Sequence, residues 1–296
     1  MRAEEWIVLG FGLASALTPL LAADKAPTSG ARITARQVVE RIKKNVNCQW
    51  SADTVDTFKA GDSDTPVTGI ATTFTATFDV LKRAAASGRN LIITHEPTFY
   101  HHTEDTREVE GDPVLEAKRT FIKEHGLVIW RFHDHWHRHQ PDGILQGMTE
   151  KFGWQEFRRP GAEPVFRLPE TTLRRLAETL RDRLGTDAIR VVGDPEMKLA
   201  GVGFSAGASG SVSQMRLLRR DDVQVLLVGE TREWETVEYA RDAVQEGKPK
   251  ALIILGHTVS EEAGMEYCAR WLRGFITEVP VEFIPAGDPF WVPPGK

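Results

Sequence analysis

The chain is expected to fold as an α/β protein of two lobes with a metal-binding cleft between them. Three observations lead there. Strand-like and helix-like patterns alternate along the whole length, which argues for layered α/β architecture. Three apolar, strand-like runs end directly in metal-ligand residue types. The 296 residues exceed one ordinary domain, and a hydrophobic content of 41% against 27% charged residues supplies the core for it.

In order along the chain, Ala35 to Asn45 reads as a helix with Val38, Val39 and Ile42 on one side. Val67 to Phe74 reads as a strand, Phe78 to Ala86 as a helix and Leu91 to Thr94 as a short buried strand. Asp112 to His125 is helical with Pro113 in its first turn; Gly126 ends it, and Leu127 to Phe132 is the next strand. Phe157 to Pro169, with Pro160, Gly161 and Pro164, is the expected boundary. The first lobe is therefore placed at 32–156 and the second at 165–296, with 250–296 able to pack back on the first. Beyond the boundary a helix is expected over Glu170 to Leu184, and strands over Ala188 to Val192, Leu199 to Phe204 and Val223 to Val228. A helix over Trp234 to Gln245, a buried strand at Ala251 to Leu255, a helix at Ser260 to Leu272 and a strand at Val279 to Ile284 complete the chain. The glycines of Gly201 to Gly207 lack the residues of a phosphate loop and read as a tight strand-to-helix turn.

Trp6 to Ala23 holds no charged residue, and with Ala22 and Ala23 it reads as a secretory signal peptide over 1–23. A retained anchor is the rival, because the stretch approaches the roughly 20 residues that span a bilayer. Export and cleavage are the expectation, with no stable membrane association afterwards. Cys48 and Cys268 either pair or serve as small buried hydrophobes. The net charge of −5 comes without a basic stripe, so no nucleic-acid partner is expected. The eight tryptophans are expected in the core.

Histidine is very unevenly distributed: eight of nine lie between His95 and His139. The first cluster, Ile92-Ile93-Thr94-His95-Glu96-Pro97, closes a strand with an imidazole and a carboxylate. Both can ligate only if the backbone leaves the strand there, and Pro97 allows it. The second, His133-Asp134-His135-Trp136-His137-Arg138-His139, follows an apolar strand; in extended form its histidines share a face, and two of them would reach one ion. The third, Gly256-His257-Thr258-Val259-Ser260-Glu261, brings an imidazole from a strand end and a carboxylate from a helix start, with Ser260 as the cap. Six ligands exceed the needs of one tetrahedral zinc and suit two ions about 3.5–4 Å apart. His101 and His102 are candidates for the cleft mouth.

These residues, together with Gly229-Glu230, resemble the NIF-three-like family of dinuclear-metal proteins, whose bacterial members are often labelled type-two GTP cyclohydrolase I. The resemblance runs from about Ile33 to the C-terminus. It implies two α/β lobes around a two-metal cleft, assembled as a toroidal hexamer. It carries His95, His257 and Glu261 over directly. Glu96 stands where the family has a second histidine, and His133 and His137 fall on a histidine–aspartate pair, so four imidazoles and two carboxylates remain. The histidines the family has after Gly-Glu are missing here, leaving Glu230 for the cleft wall or a supporting contact.

The functional expectation is a metal-dependent hydrolase with two divalent ions (Zn, Fe or Mn) held by His95, Glu96, His133, His137, His257 and Glu261. Asp134 and His135 are the acid–base candidates, Asp134 alternatively orienting an imidazole. The partners expected are a small-molecule substrate and further copies of the chain. The rival is a non-catalytic metal-binding scaffold or sensor.

Overall fold

The computed structural model describes residues 32–161 and 164–294; the segment read as a signal peptide, 1–23, lies outside them. The first helix, α1 (Ala35–Asn45), starts where Thr34 and Gln37 satisfy each other reciprocally, Thr34 N–H donating to Gln37 Oε1 at 2.9 Å and Gln37 N–H to Thr34 Oγ1 at 3.3 Å. It buries Val38, Val39 and Ile42. There follow β1 (Phe58–Ala60), β2 (Ile70–Thr73), α2 (Phe78–Ala86), β3 (Leu91–Thr94), α3 (Pro113–Glu124), β4 (Val128–Arg131), α4 (Asp134–Arg138) and α5 (Gly143–Phe152). The second half holds β5 (Val165–Thr172), α6 (Leu173–Leu184), β6 (Arg190–Val192), β7 (Lys198–Ser205), α7 (Ser211–Leu218), β8 (Val225–Val228), α8 (Glu238–Gln245), β9 (Ala251–Ile254), α9 (His257–Arg273) and β10 (Val281–Phe283).

The strands form two five-stranded sheets, ordered β1-β4-β3-β2-β10 and β5-β7-β8-β9-β6. In the first, β10, β2, β3 and β4 run parallel and β1 antiparallel. The second has β7, β8 and β9 parallel, with β5 and β6 antiparallel at the edges. Central strands of this kind are buried on both faces and read as continuous apolar runs. Leu91 and Ile93 accordingly join a core shared with Phe204, Leu227 and Ile253 of the other sheet and with Met148 and Met265 of α5 and α9. Ile92 faces the opposite way, onto Leu81 of α2 and Leu115 of α3. Between the sheets α5 and α9 cross so closely that a Cβ on Gly147 would lie 2.3 Å from the Ala263 carbonyl oxygen. Glycine is what permits that approach.

Several sequence expectations are corrected. The boundary expected over Phe157 to Pro169 is partly strand: β5 starts at Val165. Pro169 fits because β5 is an edge strand whose register shifts between Arg167 and Thr171. Helix α9 begins at His257 rather than at Ser260, with Gly256 (φ +92°) as its cap. The histidine run after β4 is not extended but coils into α4. The tryptophans divide: Trp130 and Trp136 are fully buried, whereas Trp234 and Trp291 are exposed. Cys48 and Cys268 are both free thiols. Among the described residues no helix is long and apolar enough to cross a membrane.

Candidate metal centre

The carboxyl ends of β3 and β4 meet the start of α9, the helix that follows β9 of the other sheet. Past Thr94 the chain leaves the strand: Glu96 N–H donates to Phe74 O at 2.7 Å while the Thr94 hydroxyl donates to Glu96 O at 3.0 Å. This break lets His95 and Glu96, adjacent in sequence, both face one space. After β4, the coil of α4 sets His133 and His137 four residues apart on one helical face. In α9 the same spacing pairs His257 with Glu261, so both come from one helix face rather than from a strand end and a helix start.

All six ligand candidates converge. His95 Nε2 lies 3.4 Å from Glu261 Oε2, and His257 Nε2 lies 3.3 Å from the same oxygen. Glu96 Oε1 lies 3.4 Å from His133 Nε2 and 3.7 Å from His257 Nε2. The rings of His95 and His137 are 4.9 Å apart, those of His133 and His137 5.0 Å. Two sets of ligand atoms, His95-His133-His137 and His95-Glu96-Glu261, each lie within 4.8 Å of one another and share His95.

Each imidazole is held from behind through Nδ1. His95 Nδ1 donates to Phe132 O at 3.1 Å, His133 to Asp134 Oδ1 at 2.9 Å, His137 to Asp142 Oδ2 at 3.1 Å and His257 to Glu230 Oε1 at 2.5 Å. Carbonyls and carboxylates only accept, so the ring proton sits on Nδ1 and the Nε2 lone pair points inward, as metal-binding histidines require. Two of the inward atoms, His95 Nε2 and Glu261 Oε2, are buried without a hydrogen-bond partner among the described residues. A buried polar atom left unpaired costs about 1–3 kcal/mol, and a cation between them removes that cost. The residues present therefore fit a metal.

The electrostatics agree. Burial pushes His95 down, so it stays neutral. Burial also opposes charge on His257, but Glu261, Glu96 and Glu230 outweigh it and raise the imidazole to about 9. Burial likewise opposes ionised Glu261, yet His257 and His95 hold it far below the usual carboxylate range. Without an ion, protons on the imidazoles balance the carboxylates.

Sequence reasoning missed several supports. Asp56, nearly buried, accepts the backbone N–H groups of His133 (2.6 Å), Asp134 (3.0 Å) and His135 (2.9 Å) and the His135 ring Nδ1–H (2.7 Å). It thereby caps α4 and fixes the segment carrying two ligands. Arg131, fully buried, donates to His95 O at 2.9 Å and sits 3.3 Å from Glu96 Oε2, leaving Oε1 as the oxygen that faces the cluster. Gly207 (φ +57°) passes so near that a Cβ would stand 2.2 Å from Glu261 Oε1. The approach of Gly207 to a ligand leaves no mark in one sequence; only the Asp before Gly143 could have signalled Asp142, which also caps α5.

Of the two acid–base candidates, Asp134 takes the alternative role expected of it and His135 takes neither. Asp134 orients His133, and its other oxygen accepts from Thr54 Oγ1 and Val55 N–H. His135 points away from the cluster, fully buried: it stacks on Trp50 at 3.6 Å, donates to Asp56 and accepts Ser51 N–H at Nε2. Both ring nitrogens are engaged, so its acid–base role is withdrawn. His139 is likewise turned aside, onto Pro141 O. His102 lies at the mouth, its ring edge-on to His133 at 5.7 Å, whereas His101 bonds only locally to Thr103.

The sequence profile described as Duf34/NIF3 (NGG1p interacting factor 3) matches residues 33–289. The chain belongs to this family. Solved structures of similar fold include a Bacillus cereus protein related to NIF3, at 14% identity over 89% of this chain and 100% of that one, with a TM-score of 0.71. A Staphylococcus aureus hypothetical protein gives 16% identity, coverages of 88% and 99% and a TM-score of 0.69. Reduced HcgD from Methanocaldococcus jannaschii gives 16%, 85% and 97%, and 0.61. No curated protein matches in sequence at a significant level. Within the NIF3 fold, then, this chain carries a cluster of candidate metal ligands.

Proposed function

We propose that this NIF3-family protein is a dinuclear metal-binding protein that works as a metal-dependent hydrolase. The observation that carries the reading is the common orientation of four imidazoles, each anchored at Nδ1 and open at Nε2, around the partnerless Glu261 Oε2. His95, Glu96, His133, His137, His257 and Glu261 would hold the ions, and the two triads sharing His95 favour two of them. A pair of divalent ions supplies Lewis acidity and a water that ionises near neutral pH. Glu96 and Glu261 offset the ions' charge, Asp134, Asp142 and Glu230 keep the imidazoles in the ligating tautomer, and exposed His102 is the group placed to move protons at the mouth.

Elemental analysis of purified protein, followed by a screen of esters, phosphoesters and amides with added Mn²⁺, Zn²⁺ or Fe²⁺, tests it. Close to two metals per chain and metal-stimulated turnover lost in His257→Ala are the expected results; less than one metal per chain refutes the reading. The structural employment of Asp134 and His135 favours the second reading, a metal-holding scaffold, whose signature is a metal-dependent rise in Tm with no turnover. Export and assembly into a homo-hexamer complete the proposal, tested by fractionation and by light scattering.

A further inference from the structure

Among the described residues, one cavity adjoins the cluster on the His257 side and another on the His137 side, and their charges differ in sign. The one on the His257 side, about 790 Å³, is walled by apolar residues and carries the carboxylates of Asp187, Glu230 and Asp288. Its arginine, Arg190, is already paired with Glu233 at 2.5 Å. The one on the His137 side, about 840 Å³, carries Arg158, Arg159 and the hydroxyls of Ser209 and Ser213. Both volumes are those of ordinary small-molecule sites.

Among the described residues that line the His137 side the one carboxylate, Asp142, is spent: one oxygen accepts from His137 Nδ1 at 3.1 Å and the other from Leu145 N–H at 3.0 Å. Among the described residues neither Arg158 nor Arg159 has a side-chain hydrogen bond or ion pair. Arg158 is half-buried, and no carboxylate of the described residues lies in ion-pair reach of its guanidinium. An anion entering the cavity would remedy that. Ser209 Oγ already shares a hydrogen bond with Ser205 Oγ at 2.5 Å, but two guanidinium forks and the Ser213 hydroxyl still offer more donors than the two oxygens of a carboxylate use, and they match the three free oxygens of a phosphoryl group.

We propose that the His137-side cavity is a phosphoryl-binding subsite, with Arg158 and Arg159 seating the phosphate of a phosphoester substrate beside the cluster. This names a substrate class for the site proposed above and rests on that reading. The experiment titrates inorganic phosphate, with benzoate as the carboxylate control, into the full chain with and without added Mn²⁺. Wild type is compared with Arg158→Ala, Arg159→Ala and Arg158→Lys, metal content and Tm being measured on every sample. Each alanine variant is expected to bind phosphate at least about 10-fold more weakly at unchanged metal content and Tm. Benzoate binding should change less than about twofold, and Arg158→Lys should recover part of the loss. Phosphate affinities equal within about twofold across all variants, in both arms, overturn the subsite, as does a benzoate loss equal to the phosphate loss. Arginine-dependent phosphate binding in protein that takes up no metal sinks the metal reading and leaves the subsite standing.

Discussion

Replacing Asp56 by asparagine tests whether the ligand-bearing segment is held as the geometry indicates. The carboxylate takes four N–H donors, two on each oxygen. An amide can accept on one side only, so its NH₂ group must face two donors. The His135 ring cannot adapt by moving its proton, because Nε2 already accepts Ser51 N–H at 2.9 Å. Two buried donors are therefore left unpaired at about 1–3 kcal/mol each, a loss of about 4 kcal/mol. For a chain of this size 1 kcal/mol corresponds to about 2–4 °C, so Tm should fall by roughly 10 °C. The measurement is calorimetry in EDTA, which removes any contribution from bound ions. The same variant, below its Tm, should bind Mn²⁺ or Zn²⁺ about 10–100-fold more weakly, because His133 loses its fixed backbone. A Tm drop under about 3 °C would show that the Asp56 contacts do not hold α4 in place.

Other outcomes follow from the same structure. Gly207→Ala should cost about 1–2 kcal/mol through its φ of +57° and weaken metal binding at least about 10-fold, since the new methyl group meets Glu261; metal titration at constant fold shows this, and unchanged affinity contradicts the close approach. Lys118, nearly buried with Nζ donating to Thr98 O, is pushed by burial down to about 8 from an ordinary 10.5. Its folded-state pKa is thus the lower one: the cost of burying the charge is fully present below pH 8 and is relieved as pH rises toward 10.5, where the unfolded chain alone keeps the proton. Denaturation at pH 7.5 and 9.5 should show wild type gaining about 2 kcal/mol relative to Lys118→Met; equal slopes for the two proteins refute it. Burial also drives the Cys268 thiol up, so a disulfide-exchange reagent should label half-buried Cys48 in the native protein and Cys268 only after unfolding, and native labelling of both contradicts that burial.

Strands buried on both faces are legible as apolar runs, which is why Leu91–Thr94 and Ala251–Ile254 could be placed to within a residue. Capped helices are legible for a similar reason: Thr34 and Asp112 announce α1 and α3 locally. The ligand residues stood out because imidazole and carboxylate have few reasons to end an apolar strand. What failed was the backbone between ligands. Four alternating histidines fit a strand as well as a helical turn, and Asp56, some eighty residues earlier, is what selects the turn. The role of Asp56 depends on β1 pairing with β4, a three-residue strand too short to carry a pattern. His135 shows the same limit: its chemistry is that of a ligand, and only its neighbours Trp50, Ser51 and Asp56 reveal a structural post.

The crossing of α5 and α9 has a mechanical consequence. Four of the ligand candidates lie between residues 95 and 137, in the segments that follow β3 and β4, and the other two ride on the leading turn of the helix that runs on between the layers to Arg273. An ion gripped by both groups ties a chain segment of more than a hundred residues into a closed loop, as a cross-link would. Because α9 is packed without slack against Gly147, tension at its first turn is borne by the whole rod. Loading and unloading of the centre should therefore register as a change in amide-exchange protection far along that rod, at Cys268 and Leu272, where no ligand atom is in reach.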